Sequence, residues 1–91
     1  MNNLSIADEE LLSVYKQIGK NVKKYREEKG MTQLQLSQAM GYKSVSLVSK
    51  AEVVIENVHF GLKHLYAISK ILDIELSTLI DLESWNNKSG Y

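Results

Sequence analysis

The stretch TQLQLSQAMGYKSVSLVSKAE, from Thr32 to Glu52, decides how this sequence folds. Thr32 is a favoured N-cap residue and Gly41 is a favoured residue just past a helix end, so the first part predicts a helix of about eight residues. Ser44 can cap another helix that runs to Glu52, in which apolar residues again recur at helical spacing. The stretch therefore predicts two short helices joined by a turn that contains glycine.

The residues before this stretch predict a longer first helix. Its start is predicted near Ile6, because Ser5 and Asp8 resemble a capping box, and its end just before Gly30. Gly19 lies within it, and since a mid-helix glycine costs about 1 kcal/mol relative to alanine, a break or bend is predicted there. The apolar side chains that define this helix are Leu11, Tyr15, Ile18, Val22 and Tyr25.

Apolar spacing also predicts two helices after the stretch, and Ser77 is the expected N-cap of the second. Because no segment shows strand-like alternation, the predicted fold class is all-α. We expect one small domain at 16–83, preceded by a helical extension at 1–15 and followed by a tail at 84–91. The apolar positions are Leu62, Leu65, Ile68, Ile71 and Leu72 in the fourth helix, and Leu79, Ile80 and Leu82 in the fifth.

Composition favours a protein of the cytoplasm. The chain has 91 residues and no cysteine, which excludes disulfides and cysteine-ligated zinc and fits a reducing compartment. No apolar run is long enough for a membrane span, and the N-terminus is acidic where a secretory signal would be basic. We therefore expect no membrane association.

Charge is unevenly distributed along a chain whose net charge is zero. Residues 16–50 carry eight basic and two acidic side chains, a net charge of +6, whereas 1–15 and 51–91 each carry −3. A basic middle segment favours a polyanionic partner, although lysine-rich helix surfaces are common and explain the asymmetry equally well.

Two short helices around a glycine turn, with a polar outer face on the second, form a helix-turn-helix, whose second helix lies in the major groove of DNA. From Ile18 to Ile80 the sequence resembles the lambda-repressor-like family, also called Cro/C1-type or XRE. The segments that carry the resemblance are IGKNVKKYREEKGMTQLQLSQAMG, VSKAE and LYAISKILDIELSTLI. It implies a five-helix lambda-repressor-like DNA-binding domain, here with an N-terminal helical extension.

The resemblance also implies which side chains contact DNA. Gln33 matches a family position that hydrogen-bonds a phosphate, and a solvated first-turn residue is the alternative. Ser46 and Leu47 match positions that face base edges, as does Val45, which fits the core spacing equally well. The two lysines of the segment are assigned to backbone phosphates. The predicted DNA-contacting residues are Thr32, Gln33, Lys43, Ser44, Val45, Ser46, Leu47 and Lys50.

Two further residues match a structural position of the family. Arg26 and Glu52 correspond to a pair that ties the first helix to the end of the third. Since removing one partner of a buried ion pair is costly, Arg26 is interpreted as a folding residue rather than a DNA contact.

The sequence departs from the family pattern in two places. Ten residues separate Gly41 from Glu52, one more than is common, so the base-contacting positions could shift by one. After Glu52 the chain reads VVIENVHF, without the glycine and proline that usually follow. We expect either that the third helix runs on or that this loop packs in an interface.

Enzymatic and metal sites are not expected. His59 and His64 are five positions apart without a third ligand, and no serine has a visible histidine and aspartate partner. The chain has no glycine-rich phosphate loop either, and no cofactor is expected.

The predicted function is sequence-specific binding of double-stranded DNA by a dimeric repressor or autoregulator, with an operator that could be its own promoter. The alternative is an antitoxin or adaptor that binds a toxin or another protein partner through apolar terminal helices. The homodimer is the simpler explanation of the surplus apolar residues. The candidate dimer interface comprises Leu76, Leu79, Leu82 and Trp85.

Overall fold

The computed structural model describes residues 7–82, which form five helices and no strand. The predicted all-α class is confirmed. Ser5 and Ile6, where the first helix was expected to start, lie outside the described residues, as does Trp85. The helices are α1 (Asp8–Glu28), α2 (Gln33–Ala39), α3 (Ser46–Ala51), α4 (Leu62–Leu72) and α5 (Leu76–Leu79).

Helix α1 is continuous, so the predicted break at Gly19 is wrong. A Cβ atom on Gly19 would lie 2.7 Å from the carbonyl oxygen of Ala51 and closer still to that of Glu52. No side chain fits in that space. The glycine therefore allows the backbone of α1 to approach the end of α3, and this packing offsets its low helix propensity.

The two glycines predicted to follow helix ends do so. Gly30 has φ of +72° and Gly41 has φ of +96°, both in the left-handed region that glycine adopts without strain. The Gly30 N–H donates to the Glu27 carbonyl, and the Gly41 N–H donates to the Gln38 carbonyl. Gly30 ends α1 just before the helix-turn-helix begins. Gly41 ends α2 and so fixes the position of the turn.

Two helix starts differ from prediction. Helix α3 begins at Ser46 rather than directly after Ser44, because the Ser44 hydroxyl accepts the Ser46 N–H at 3.0 Å and holds a turn before the helix. Helix α5 begins at Leu76 with Glu75 as its N-cap, so Ser77 lies inside the helix and does not cap it.

The core lies where all five helices meet. Some residues of the predicted apolar stripes are not part of it: Leu34 is 44% exposed and Leu62 is 69% exposed. Ala39 is exposed as well. The buried core residues are Ile18, Val22, Leu36, Val48, Ala51, Phe60, Leu65, Ile68, Leu72 and Leu79.

The segment after α3 is a loop, so the alternative in which α3 runs on is wrong. Val54, Glu56 and Asn57 all have φ between +54° and +63°, a conformation incompatible with helix. Val54 is nonetheless buried and contributes to anchoring the loop against the domain. A β-branched residue in this region is strained, and the burial of its side chain offsets that cost.

Candidate nucleic-acid interface

The N-terminus of α2 is closed by a reciprocal cap. The Thr32 hydroxyl accepts the Gln35 N–H at 3.0 Å, and the Gln35 side-chain oxygen accepts the Thr32 N–H at 2.8 Å. Thr32, which was predicted to contact DNA, therefore uses its hydroxyl oxygen to fix the first turn of α2. The exposed hydroxyl can still donate its hydrogen.

The turn between α2 and α3 is held by Ser37. This residue is fully buried on α2, and its hydroxyl donates to the Ser44 carbonyl while its own carbonyl accepts the Tyr42 N–H at 3.0 Å. Because both ends of the turn are bonded to the same residue, the orientation of α3 relative to α2 is fixed before any ligand arrives.

Helix α3 has one buried face and one outer face. Val48 and Ala51 are fully buried, and at about 100° per residue the opposite face carries Ser46, Ser49 and Lys50. The Ser49 hydroxyl donates to the Ser46 carbonyl at 3.2 Å and can still accept. The Ser46 hydroxyl can donate or accept, and the Lys50 ammonium group can donate, to base edges or phosphates. We call Ser46, Ser49 and Lys50 the outer face of α3.

The structure brings most predicted DNA-contacting residues to one surface formed by the turn and α3. Lys43, Ser44, Val45 and Ser46 are exposed, and Leu47 is partly exposed. Val45 is 37% exposed and stands outside the core, which removes the core alternative for it. Their contacts with DNA remain predictions.

Arg26 and Glu52 are in direct contact at the junction of α1 and α3. Arg26 Nε donates to Glu52 Oε2 at 2.7 Å and Nη2 donates to Oε1 at 3.0 Å, while Nη1 donates to the Met31 carbonyl at 2.7 Å. Both side chains are buried. The hydrogen bonds to Glu52 raise the pKa of Arg26 above its usual value, so the guanidinium stays charged despite burial.

Gln33 joins this network. Its Nε2 donates to Glu52 Oε1 at 2.9 Å, so the side chain is neither fully solvated nor free to rotate. An amide nitrogen carries two hydrogens, and the second remains for an acceptor outside the network. The Arg26–Glu52 pair thus orients the residue that the family resemblance assigns to a phosphate.

Lys50 is also engaged within the chain. Its Nζ lies 2.9 Å from Glu56 Oε1 in the loop after α3. By contrast, Lys43 forms no hydrogen bond or ion pair with any residue in the described range 7–82. The two lysines predicted to contact phosphates therefore differ in their surroundings.

The two histidines do not form a metal site. His59 stacks on Tyr15 with ring centroids 3.6 Å apart, and its Nδ1 is buried without a hydrogen-bond partner in the described structure. His64 accepts the Gly61 N–H at Nδ1, at 3.0 Å, and so caps α4. Within residues 7–82 no group of three or more His, Asp or Glu side chains could hold a metal ion.

Some residues of the candidate dimer interface belong to the core of their own chain or pack against it. Leu79 is fully buried in its own chain, so it is unavailable to a second copy and its assignment is corrected. Leu76 and Leu82 are partly buried against the core. Leu76 also lines a groove between α4 and α5, together with Tyr66, Ser69, Lys70, Asp73, Ile74 and Glu75.

Sequence reasoning missed Ser49 and Glu56. Ser49 was missed because the family resemblance assigned base contacts to Val45, Ser46 and Leu47, whereas in the structure Ser49 lies on the face of α3 away from Val48 and Ala51. Glu56 was missed because no sequence signal predicts a left-handed glutamate. Its acidic charge six positions after Lys50 was the only available indication.

A comparison with protein families finds that a family model described as helix-turn-helix matches residues 22–79, more than half of the chain. No curated protein and no solved structure matches the chain significantly. Separately, no helix within the described residues is long and apolar enough to cross a bilayer.

Proposed function

Since the chain belongs to the Cro/C1-type helix-turn-helix family, we propose that it is a sequence-specific transcriptional regulator that inserts α3 into the major groove of an operator. Members of this family bind double-stranded DNA and are regulators rather than enzymes. The proposal adds the way in which the protein reads DNA and its oligomeric state.

The observation that carries the proposal is the division of α3 into two faces. Val48 and Ala51 anchor it in the core, while Ser46, Ser49 and Lys50 point outward with hydrogen-bonding groups. The turn before α3 adds Lys43, which has no partner among the described residues, at the edge of the same surface. Such a surface supplies hydroxyls for base edges and an ammonium group for the backbone.

A fluorescence-anisotropy titration tests this role. The purified protein is titrated with the duplex upstream of its own gene and with a scrambled duplex of the same composition, at two salt concentrations. We expect tighter binding to the native duplex and weaker binding at higher salt, because phosphate contacts release counterions. Equal, weak binding to both duplexes would contradict sequence-specific regulation.

We propose that the regulator acts as a symmetric dimer through the α4–α5 surface. Tyr66 is 56% exposed and lies beside Ile74 and Leu76 in a groove between these helices. Leu62 on the same helix is also exposed. A symmetric dimer presents two copies of α3, and we propose that each binds one of two half-sites about one DNA turn apart.

Sedimentation velocity with and without operator DNA tests the dimer. We expect two protein chains per duplex, and a Tyr66→Glu variant that binds as a monomer with a lower affinity. The same α4–α5 surface, with the exposed Tyr66 and Leu62, also supports the second candidate, an antitoxin or adaptor. A stable one-to-one complex with a co-purified protein, together with no preference for any duplex, would favour that candidate instead.

A further inference from the structure

The outer face of α3 contains one positive charge, and that charge is already paired. Lys50 lies on this face between Ser46 and the loop, and its Nζ is 2.9 Å from Glu56 Oε1. The remaining basic side chain of the turn, Lys43, has no such partner among the described residues. An acidic residue thus stands at the surface that is proposed to meet a polyanion.

The pair contributes little to folding. The Lys50 side chain is 32% exposed and that of Glu56 is 66% exposed, so the ammonium group is partly hydrated, the carboxylate is largely hydrated, and salt screens the pair. Exposed ion pairs of this kind have small effects on stability. A stabilising role therefore does not account for the position of Glu56.

The position of Glu56 is nevertheless set by the backbone. Glu56 has φ of +54° and Asn57 has φ of +63°, and the preceding Val54 is left-handed and buried. The Ile55 N–H also donates to the Lys50 carbonyl, which ties the loop to the last turn of α3. Strained residues that are held in place by their surroundings occur often at functional sites. Here they hold a carboxylate against Lys50.

We infer that Glu56 is an intramolecular competitor of the DNA phosphate for Lys50, and that it lowers the affinity of this protein for all duplexes. The inference rests on the proposed function. To bind a phosphate, Lys50 must leave Glu56, so the free energy of this ion pair is lost and is subtracted from the free energy of the phosphate contact. Since phosphate contacts carry no sequence information, the effect is the same for operator and non-operator DNA.

The test compares DNA binding by the wild type, Glu56→Gln and Glu28→Gln at several salt concentrations. Glutamine keeps the size of Glu56 and, unlike glycine, does not relieve the left-handed backbone. Glu28→Gln removes the same charge from an exposed position at the end of α1 and measures the general effect of net charge.

We expect Glu56→Gln to bind operator and scrambled duplexes more tightly by the same factor, about threefold or more, and to steepen the salt dependence by roughly one released ion. Glu28→Gln should change the affinity and its salt dependence much less. In a Lys50→Gln background, Glu56→Gln should lose most of its effect, because the residue with which it competes is gone.

Two outcomes overturn the inference. The first is a Glu56→Gln protein that binds no more tightly than Glu28→Gln, while the wild type still prefers its operator. The second is a full gain in affinity in the Lys50→Gln background. A wild type and a Glu56→Gln variant that both fail to bind DNA would overturn the proposed function as well, so the two failures are distinguishable.

Discussion

At the residue scale, Gly19 determines how closely α1 approaches α3. A methyl group there would collide with the backbone carbonyls of Ala51 and Glu52, which cannot rotate away as a side chain can. We expect Gly19→Ala to lower the free energy of unfolding by about 1–3 kcal/mol, measured by urea denaturation. Lys23→Ala, an exposed change on the same helix, should stay within about 0.5 kcal/mol. A Gly19→Ala protein that is more stable than the wild type would show that helix propensity dominates.

The Arg26–Glu52 pair is the second determinant at this scale. Arg26→Ala leaves a buried carboxylate without its guanidinium partner, and we expect a loss of about 3–5 kcal/mol in the free energy of unfolding. The chain would be partly or fully unfolded at room temperature, as circular dichroism would show. Lys29→Ala removes the same charge from an exposed position and should be nearly neutral. Arg26→Ala with unchanged stability and abolished DNA binding would contradict the folding role.

At the element scale, the start of α4 depends on a neutral histidine. His64 accepts the Gly61 N–H at Nδ1, which a protonated ring cannot do. Burial lowers the pKa of His64 below 6.5, and repulsion from Lys63 and His59 adds to the shift. The unfolded chain therefore takes up a proton near pH 6.5, above the pH at which the folded chain does, and stability falls as the pH drops through that value.

This cap predicts a pH-dependent difference between two proteins. We expect the wild type to lose more stability than His64→Gln between about pH 7.5 and about pH 5.5, because glutamine keeps an acceptor for the Gly61 N–H and does not titrate. Urea denaturation at the two pH values measures this. The same pH dependence in both proteins would mean that His64 does not contribute to acid sensitivity.

The turn of the helix-turn-helix supplies a contact that we expect to be independent of DNA sequence. Lys43, unpaired in the described structure, should bind a phosphate. We expect Lys43→Ala to weaken binding to all duplexes by the same factor and to reduce the salt slope by roughly one ion, measured by anisotropy. Lys63→Ala removes an equal charge from α4 and serves as the comparison. Equal losses in both variants would assign the effect to net charge alone.

For the whole molecule, the features that were predictable from sequence are those with a local chemical cause. Gly30 and Gly41 end helices because left-handed backbone favours glycine, and the structure has both in that conformation. The contact between Arg26 and Glu52 also followed, but from the family resemblance rather than from spacing. The number of helices and the all-α fold class were predicted from apolar periodicity, which is a strong signal.

The features that were not predictable depend on distant parts of the chain. Gly19 was misinterpreted because the sequence alone does not distinguish a glycine that interrupts a helix from a glycine that allows another backbone to pack closely against the helix. The start of α3 was misplaced because Ser44 is a favoured N-cap residue, whereas in the structure its hydroxyl holds a turn and the helix begins after Val45, which is a poor N-cap residue. Likewise, the contact between Lys50 and Glu56 occurs in a loop with several left-handed residues, one of which is the buried Val54, and sequence periodicity does not predict such a loop.

The central claim is that the outer face of α3 reads DNA sequence, and selection from a library of randomised duplexes tests it most directly. The selection is run with the wild type, Ser46→Ala, Ser49→Ala and Lys43→Ala, followed by sequencing of the bound duplexes.

We expect the wild type to enrich one sequence with two symmetric half-sites. Ser46→Ala or Ser49→Ala should relax the preference at one or two base pairs in each half-site, corresponding to about 1–3 kcal/mol per lost base contact. Lys43→Ala should leave the preferred sequence unchanged. A wild type that enriches no sequence would contradict the claim. So would serine variants that both keep the wild-type preference at every base pair.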